Sequence, residues 1–72
     1  MEDRKVTNKD LKFGRKLQRL RKNAGLTQEE LAYKTRLSTT FIGLLEIGQR
    51  RPSIKTLQKI ATALKIDVKD LF

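Results

Sequence analysis

The sequence predicts a single all-α domain of five helices, and three observations carry this prediction. Apolar residues recur at helical spacing in successive segments from about residue 9 onward. Residues suited to capping helix N-termini precede these segments. The chain has 72 residues, which is near the lower limit of what one hydrophobic core can stabilise, so a second domain does not fit.

The N-terminal part divides into a tail and a first helix. Residues 1–8 are polar and aperiodic, so we expect a flexible tail followed by a domain over 9–72. Over residues 9–24 an apolar stripe falls at i, i+4, i+7 and i+11, and Gly25 supplies the C-cap. The stripe consists of Phe13, Leu17, Leu20 and Ala24, and the opposite face carries Lys12, Arg15, Lys16, Arg19 and Lys22.

Residues 28–48 hold two short helical patterns that organise the rest of the chain. Leu31, Ala32 and Thr35 share one face of the first pattern. The second pattern covers residues 39–47, with Ile42 and Leu45 as its inward pair.

Both short helices have start signals and are joined by a sharp turn. Thr27 with Glu30 has the spacing of a capping box, and Ser38 can cap the second helix. Only Arg36 and Leu37 remain between the two, so Leu37 must fill the corner. Two helices joined this tightly indicate a helix-turn-helix, whose second helix fits a DNA major groove.

The C-terminal part predicts a fourth helix and a short last turn. Pro52 and Ser53 mark the start of the fourth helix. Asp67 opens the last turn, and Val68, Leu71 and Phe72 form an apolar cluster at its end. The expected buried stripe of the fourth helix is Ile54, Leu57, Ile60, Ala61 and Leu64.

The charge is strongly basic and concentrated near the N-terminus. Lysine and arginine number 17 against 8 acidic residues, a net charge of +9. This excess of basic residues favours nucleic acid or an anionic membrane surface as partner. The alternative is that the lysines only keep a small protein soluble. The absence of cysteine and histidine removes disulfides, zinc sites and histidine catalysis, and fits a cytoplasmic protein. Neither a signal peptide nor a run of 18 apolar residues is present, so we expect no membrane partner.

The spacing resembles one known family. GLTQEELA from Gly25, LS from Leu37, LE at Leu45, and RRPS from Arg50 are similar to the Cro and phage-repressor type (XRE-like) DNA-binding domains, over about residues 13–71. Within this family, KTRLSTTFIGLLE resembles the controller proteins of restriction-modification systems. The resemblance implies a lambda-repressor-like fold, double-stranded DNA as partner and a homodimer, with no cofactor, metal or small-molecule ligand.

The outward positions of the second short helix are the expected base readers. Helical period and resemblance both give Thr39, Thr40, Gly43 and Leu44. Arginine, asparagine and glutamine are missing from this helix, so weaker contacts and DNA shape must supply specificity. Phe41 and Ile47 are also apolar, and the apolar residues of this helix cannot all point inward, so a protein contact on part of this surface is the alternative.

The resemblance assigns further roles outside this helix. It implies an ion pair between Arg21 and Glu46, and it implies a phosphate contact for Arg21 as well. Arg36 stands where the family usually has glycine, so we expect a strained positive φ there. The remaining phosphate candidates are Gln28, Gln49, Arg50 and Arg51, and the expected dimer contacts are Val68, Leu71 and Phe72.

Three residues keep open roles. Tyr33 fits either a phosphate or a subunit contact. Arg4 and Lys5 fit a loose tail better than an arm along DNA.

The function indicated is a sequence-specific, dimeric transcriptional regulator that binds double-stranded DNA. The alternative is a protein-interaction module or antitoxin-like adaptor that uses the same domain. RNA binding is disfavoured because no exposed aromatic platform is apparent. An enzyme is the least favoured class, since no nucleophile has an adjacent base.

Overall fold

The structure is a computed structural model that describes residues 5–72. This part of the chain forms α1 (Asn8–Asn23), α2 (Gln28–Thr35), α3 (Thr39–Glu46), α4 (Ile54–Leu64) and a terminal 3-10 helix (Val68–Leu71). The all-α prediction is confirmed. The prediction of a fifth helix is corrected in its type, because residues Val68–Leu71 form a short 3-10 helix and not an α-helix. Of the expected tail, residues 1–4 lie outside the described residues.

A capping box fixes the start of α1. The Thr7 side chain accepts from the Asp10 amide at 3.2 Å, and the Asp10 carboxylate accepts from the Thr7 amide at 3.0 Å. The helix therefore begins at Asn8, within the segment where the sequence analysis expected a tail.

The predicted caps of the other helices are confirmed. Thr27 and Glu30 form the reciprocal capping box of α2, with distances of 3.0 and 2.8 Å. Ser38 and Ser53 each accept from the amide three residues on, at 3.0 and 3.1 Å. Each helix start thus has a partner for one of its otherwise free amides.

Two helices end in a left-handed residue that is not glycine. Arg36 follows α2 with φ 60°, as the sequence analysis predicted, and Lys65 follows α4 with φ 58°. The Leu37 amide then donates to the Ala32 carbonyl at 3.0 Å and closes the end of α2. This closure produces the sharp turn between α2 and α3.

The core lies where the inner faces of all five elements meet. Ile54 was expected in this core but is 75% exposed, so that prediction is wrong. It is the first residue of α4, where the chain has only just entered from a surface loop. The largest fully buried side chains are Leu17, Leu31, Ile42, Leu45, Ile60 and Leu71. Within residues 5–72 no helix is long and apolar enough to cross a bilayer.

The crossing of α1 over α3 depends on a glycine. A Cβ atom on Gly14 would lie 2.7 Å from the Glu46 carbonyl carbon and 2.8 Å from the Leu45 carbonyl oxygen, and closer still to the Glu46 oxygen. Real Cβ atoms essentially never approach so closely. The end of α3 is therefore held directly against the backbone of α1.

Candidate nucleic-acid interface

Helix α3 has two faces with opposite environments. Its inner face carries Ile42 and Leu45, both with no exposed surface, as the sequence analysis predicted. The outer face carries the four expected base readers, of which Thr39 and Thr40 are exposed and Gly43 and Leu44 are partly exposed. The structure thus brings these four residues together on one accessible surface.

The ambiguity between Phe41 and Ile47 is resolved. Phe41 is partly buried and packs against the core. Ile47, the C-cap of α3, is 57% exposed. With about 100° of rotation per residue, Ile47 falls between the directions of Gly43 and Thr40, at the middle of the outer face.

The predicted ion pair between Arg21 and Glu46 is present and buried. Arg21 Nε donates to Glu46 Oε2 at 2.5 Å and Nη2 donates to Oε1 at 3.1 Å, while the two side chains are 8% and 1% exposed. This bidentate geometry ties α1 to the C-terminal end of α3. Because both charges are shielded from water, loss of either one would leave the other poorly solvated.

The Arg21 side chain has little exposed surface for the phosphate contact that was expected of it. Its remaining guanidinium nitrogen, Nη1, donates to the Leu26 carbonyl at 2.8 Å, so all three nitrogens have partners inside the protein. The geometry therefore favours the structural role of this side chain.

Gln28 links α2 to the same carboxylate. Its Nε2 donates to Glu46 Oε1 at 3.0 Å, and the side chain is near Gly43. The residue is only partly buried and opens α2, where first-turn amides attract anions. The expected phosphate contact of Gln28 therefore stays a prediction, with Glu46 fixing the position of its amide group.

The loop after α3 is exposed and basic, and its two arginines differ. Arg51 Nε donates to Asp10 Oδ1 at 3.0 Å, with the Arg51 side chain still 63% exposed. Arg50 is exposed and makes no ion pair with any residue in the described part of the chain. Gln49 is also exposed. The ion pair with Asp10 could not be foreseen, since the two residues are 41 positions apart.

Gly43 is not required by packing inside the protein. A Cβ atom there would meet nothing closer than the Gln28 side chain at 3.7 Å, an ordinary van der Waals distance. Glycine within a helix costs ~1 kcal/mol relative to alanine. The residue therefore keeps the outer face of α3 open without any gain for the fold.

The expected dimer residues separate into two groups. Leu71 is fully buried in the core, so its assignment to a subunit contact is corrected. Val68 is partly buried against the core. Phe72 is 69% exposed, although its ring lies 5.7 Å from that of Phe13. Phe72 remains the main candidate for a contact with another subunit.

The outer side of α2 differs in charge from the basic loop. It exposes Tyr33, which is 87% accessible, beside Glu29 and Glu30. The hydrogen bond from the Thr27 backbone amide lowers the pKa of Glu30. Over residues 5–72 no group of acidic, cysteine or histidine side chains could hold a metal ion.

Comparison with known proteins places this architecture in a family. A helix-turn-helix family model matches residues 17–71. The control protein C.BamHI of Bacillus amyloliquefaciens is 37% identical over 67 residues, which is 92% of this chain and 83% of that protein. The crystal structure of the restriction-modification controller protein C.AhdI from Aeromonas hydrophila superposes with a TM-score of 0.90 and 41% identity, covering 92% of this chain and 100% of that one. The control protein C.MunI of a Mycoplasma species is 38% identical over 86% of this chain and 85% of its own length. The chain therefore belongs to the helix-turn-helix family of DNA-binding transcriptional regulators.

Proposed function

We propose that this regulator binds double-stranded DNA as a homodimer and places α3 of each subunit in a major groove. The observation that carries the proposal is the asymmetry of α3. Its inner face is buried and held by Glu46, whereas the side chains of Thr39 and Thr40 on its outer face make no hydrogen bond with any described residue. A two-fold dimer would read half-sites about one helical turn apart.

Phosphate contacts would flank this helix on both sides. Gln28 and the first-turn amides of α2 would hold one phosphate group, and Gln49, Arg50 and Arg51 would line the other strand. Arg50 is the strongest candidate because it is exposed and has no acidic partner among residues 5–72. Arg51 would have to share its guanidinium between Asp10 and a phosphate.

The names of the relatives suggest a cellular role. Several are control proteins, and C.AhdI is a restriction-modification controller protein. We extend that role to this chain as a controller of transcription. Activation or repression would depend on where its site lies relative to a promoter.

The DNA contact is tested by salt titration on a duplex selected from a random pool. The logarithm of the binding constant should fall linearly with the logarithm of salt concentration, with a slope near −0.9 per phosphate contact. Arg50→Ala should make the slope less steep by the amount expected for about one phosphate contact. It should also weaken binding to all DNA sequences alike. Lys59→Ala, which removes an exposed charge from α4, is the matched control and should leave the slope unchanged. A slope near zero for the unmodified protein would contradict the proposal.

The dimer is tested at Phe72. Phe72→Asp should shift the sedimenting mass from dimer to monomer, because it places a charge on an exposed aromatic surface. Ile54→Asp is the matched control, because Ile54 is an exposed large apolar residue on α4. Unchanged mass for the Phe72 variant, or an equal loss of dimer for the Ile54 variant, would remove Phe72 from the subunit contact.

A protein-interaction module is the second candidate. The observation that favours it is the number of large apolar side chains left exposed in residues 5–72, which are Tyr33, Ile47, Ile54 and Phe72. Association through these residues would be insensitive to salt, so the same titration separates the two functions.

A further inference from the structure

The outer face of α3 consists almost entirely of methyl groups and bare backbone. Thr39 and Thr40 each present a hydroxyl and a methyl, Gly43 presents no side chain, and Leu44 and Ile47 are aliphatic. Ile47 is 57% exposed at the centre of this face, yet it makes no contribution to the core. Together with Leu44, which is partly exposed and three residues before it, Ile47 forms an apolar patch on this face, and patches of this kind mark interaction sites.

Side chains of this kind can read only part of the chemistry of a major groove. Hydrogen-bond readout of guanine or adenine uses arginine, lysine, asparagine or glutamine, and α3 carries none of them. Threonine hydroxyls accept either kind of base edge and so discriminate weakly. The one apolar group that a base displays in this groove is the C5-methyl of thymine.

We propose that the outer face of α3 selects DNA by pyrimidine C5-methyl groups, with Leu44 and Ile47 as the side chains that contact them. This inference rests on the proposed placement of α3 in the major groove. Gly43 lies next to Ile47 in direction, on the side away from Leu44, and adds no side chain that would hold α3 away from the bases. The basic loop that follows α3 supplies the charge complementarity to the duplex.

The proposal has a consequence for modified DNA. A cytosine with a C5-methyl group presents the same apolar group at the same place in the groove as thymine does. Binding would therefore respond to cytosine methylation at any contacted position, since the added methyl supplies a surface that unmodified cytosine lacks.

Deoxyuridine provides the test, because it differs from thymine only by the missing methyl. In the selected duplex, thymines are replaced one at a time by deoxyuridine, and affinity is measured at fixed salt. Replacement of a contacted thymine should weaken binding about fourfold, the effect of one buried methyl group. In the converse arm, a contacted thymine is replaced by cytosine or by 5-methylcytosine, both paired with guanine, and the 5-methylcytosine duplex should bind about fourfold more tightly than the cytosine duplex.

Variants assign the methyl contacts to side chains. Ile47→Ala removes an exposed side chain and should bind the thymine and deoxyuridine duplexes equally at the position that Ile47 contacts. Leu44→Ala should do the same at a different position. Ile54→Ala is the matched control, an exposed isoleucine outside α3, and should keep the full deoxyuridine effect. Thermal unfolding of each variant verifies that it remains folded.

The outcomes separate this inference from the proposed function. Salt-dependent binding that is indifferent to deoxyuridine at every position would overturn the methyl readout and leave the DNA contact intact. Variants of Ile47 and Leu44 that both keep the full deoxyuridine effect would overturn the assignment to these side chains. Absence of any salt-dependent DNA binding would overturn both proposals.

Discussion

Two glycines lie within helices of this domain, and their surroundings are opposite. Gly14 faces the interior, where a Cβ atom would lie 2.8 Å from the Leu45 carbonyl oxygen. Gly43 faces outward, where a Cβ atom would lie 3.7 Å from its nearest neighbour, an ordinary van der Waals contact with the Gln28 side chain. Both residues lower helix propensity by a similar amount, but only Gly14 is needed for the helices to pack.

The difference teaches where this small domain fixes its structure and where it leaves a surface for a partner. At Gly14, missing side-chain volume is compensated by close backbone packing inside the protein. At Gly43 nothing inside the protein compensates for the missing side chain, which agrees with the proposed contact of that face with DNA. Four predictions test this contrast, from the largest expected effect to the smallest.

Gly14→Ala should destabilise the protein by roughly 3 kcal/mol or more, because the methyl group meets backbone atoms that cannot rotate away. A domain of this size has little stability in reserve, so much of the protein should be unfolded at 37 °C. Urea unfolding followed by circular dichroism measures the loss. A stability equal to that of the unmodified protein would contradict the close crossing of α1 over α3.

Glu46→Gln should cost about 1.5–3 kcal/mol, the usual contribution of a buried hydrogen bond to a charged group. The substitution keeps the shape of the side chain but leaves the Arg21 guanidinium without its buried counter-charge. Glu29→Gln removes an exposed carboxylate and should change the free energy of unfolding far less. Equal effects of the two substitutions would show that burial of the pair is unimportant.

Gly43→Ala should stabilise the free protein by up to about 1 kcal/mol, with a rise in melting temperature, because the helix gains propensity without a clash. The same change should weaken binding to the selected duplex, since the methyl group would separate α3 from the bases. Calorimetry and titration on one preparation measure both. Unchanged DNA affinity would mean that Gly43 is not at the interface.

Arg36→Gly should stabilise the fold by about 0.5–1 kcal/mol, because relief of the left-handed strain exceeds the added freedom of glycine in the unfolded chain. Lys65→Gly relieves the same conformation at the end of α4 and should give a gain of similar size. A loss of stability in the Arg36 variant alone would indicate that its side chain makes a contact which outweighs the strain.

Most of the local structure could be predicted from the sequence. The caps at Thr27, Ser38 and Ser53 follow from rules that act over three or four residues, whereas the left-handed turn at Arg36 was implied by the family resemblance. The inward pair Ile42 and Leu45 follows from helical periodicity alone.

Features set by distant partners could not be predicted in the same way. A glycine in mid-helix at position 14 is a signal of close approach, but the partner helix is not visible in the sequence. The pairing of Arg51 with Asp10 and the exposure of Ile54 depend on how loops meet helix ends. The outward direction of Ile47 needed the observed packing of Phe41 to resolve it.

The Glu46 carboxylate has a consequence for motion. Side chains from α1 and α2 all donate to this one group at the end of α3, namely Arg21, Gln18 at 3.5 Å and Gln28. Opening of α3 alone would therefore break its links to two other helices at once. We expect the amides of α3 to exchange with deuterium only through global unfolding, so that the exposed face of α3 keeps its shape in the free protein.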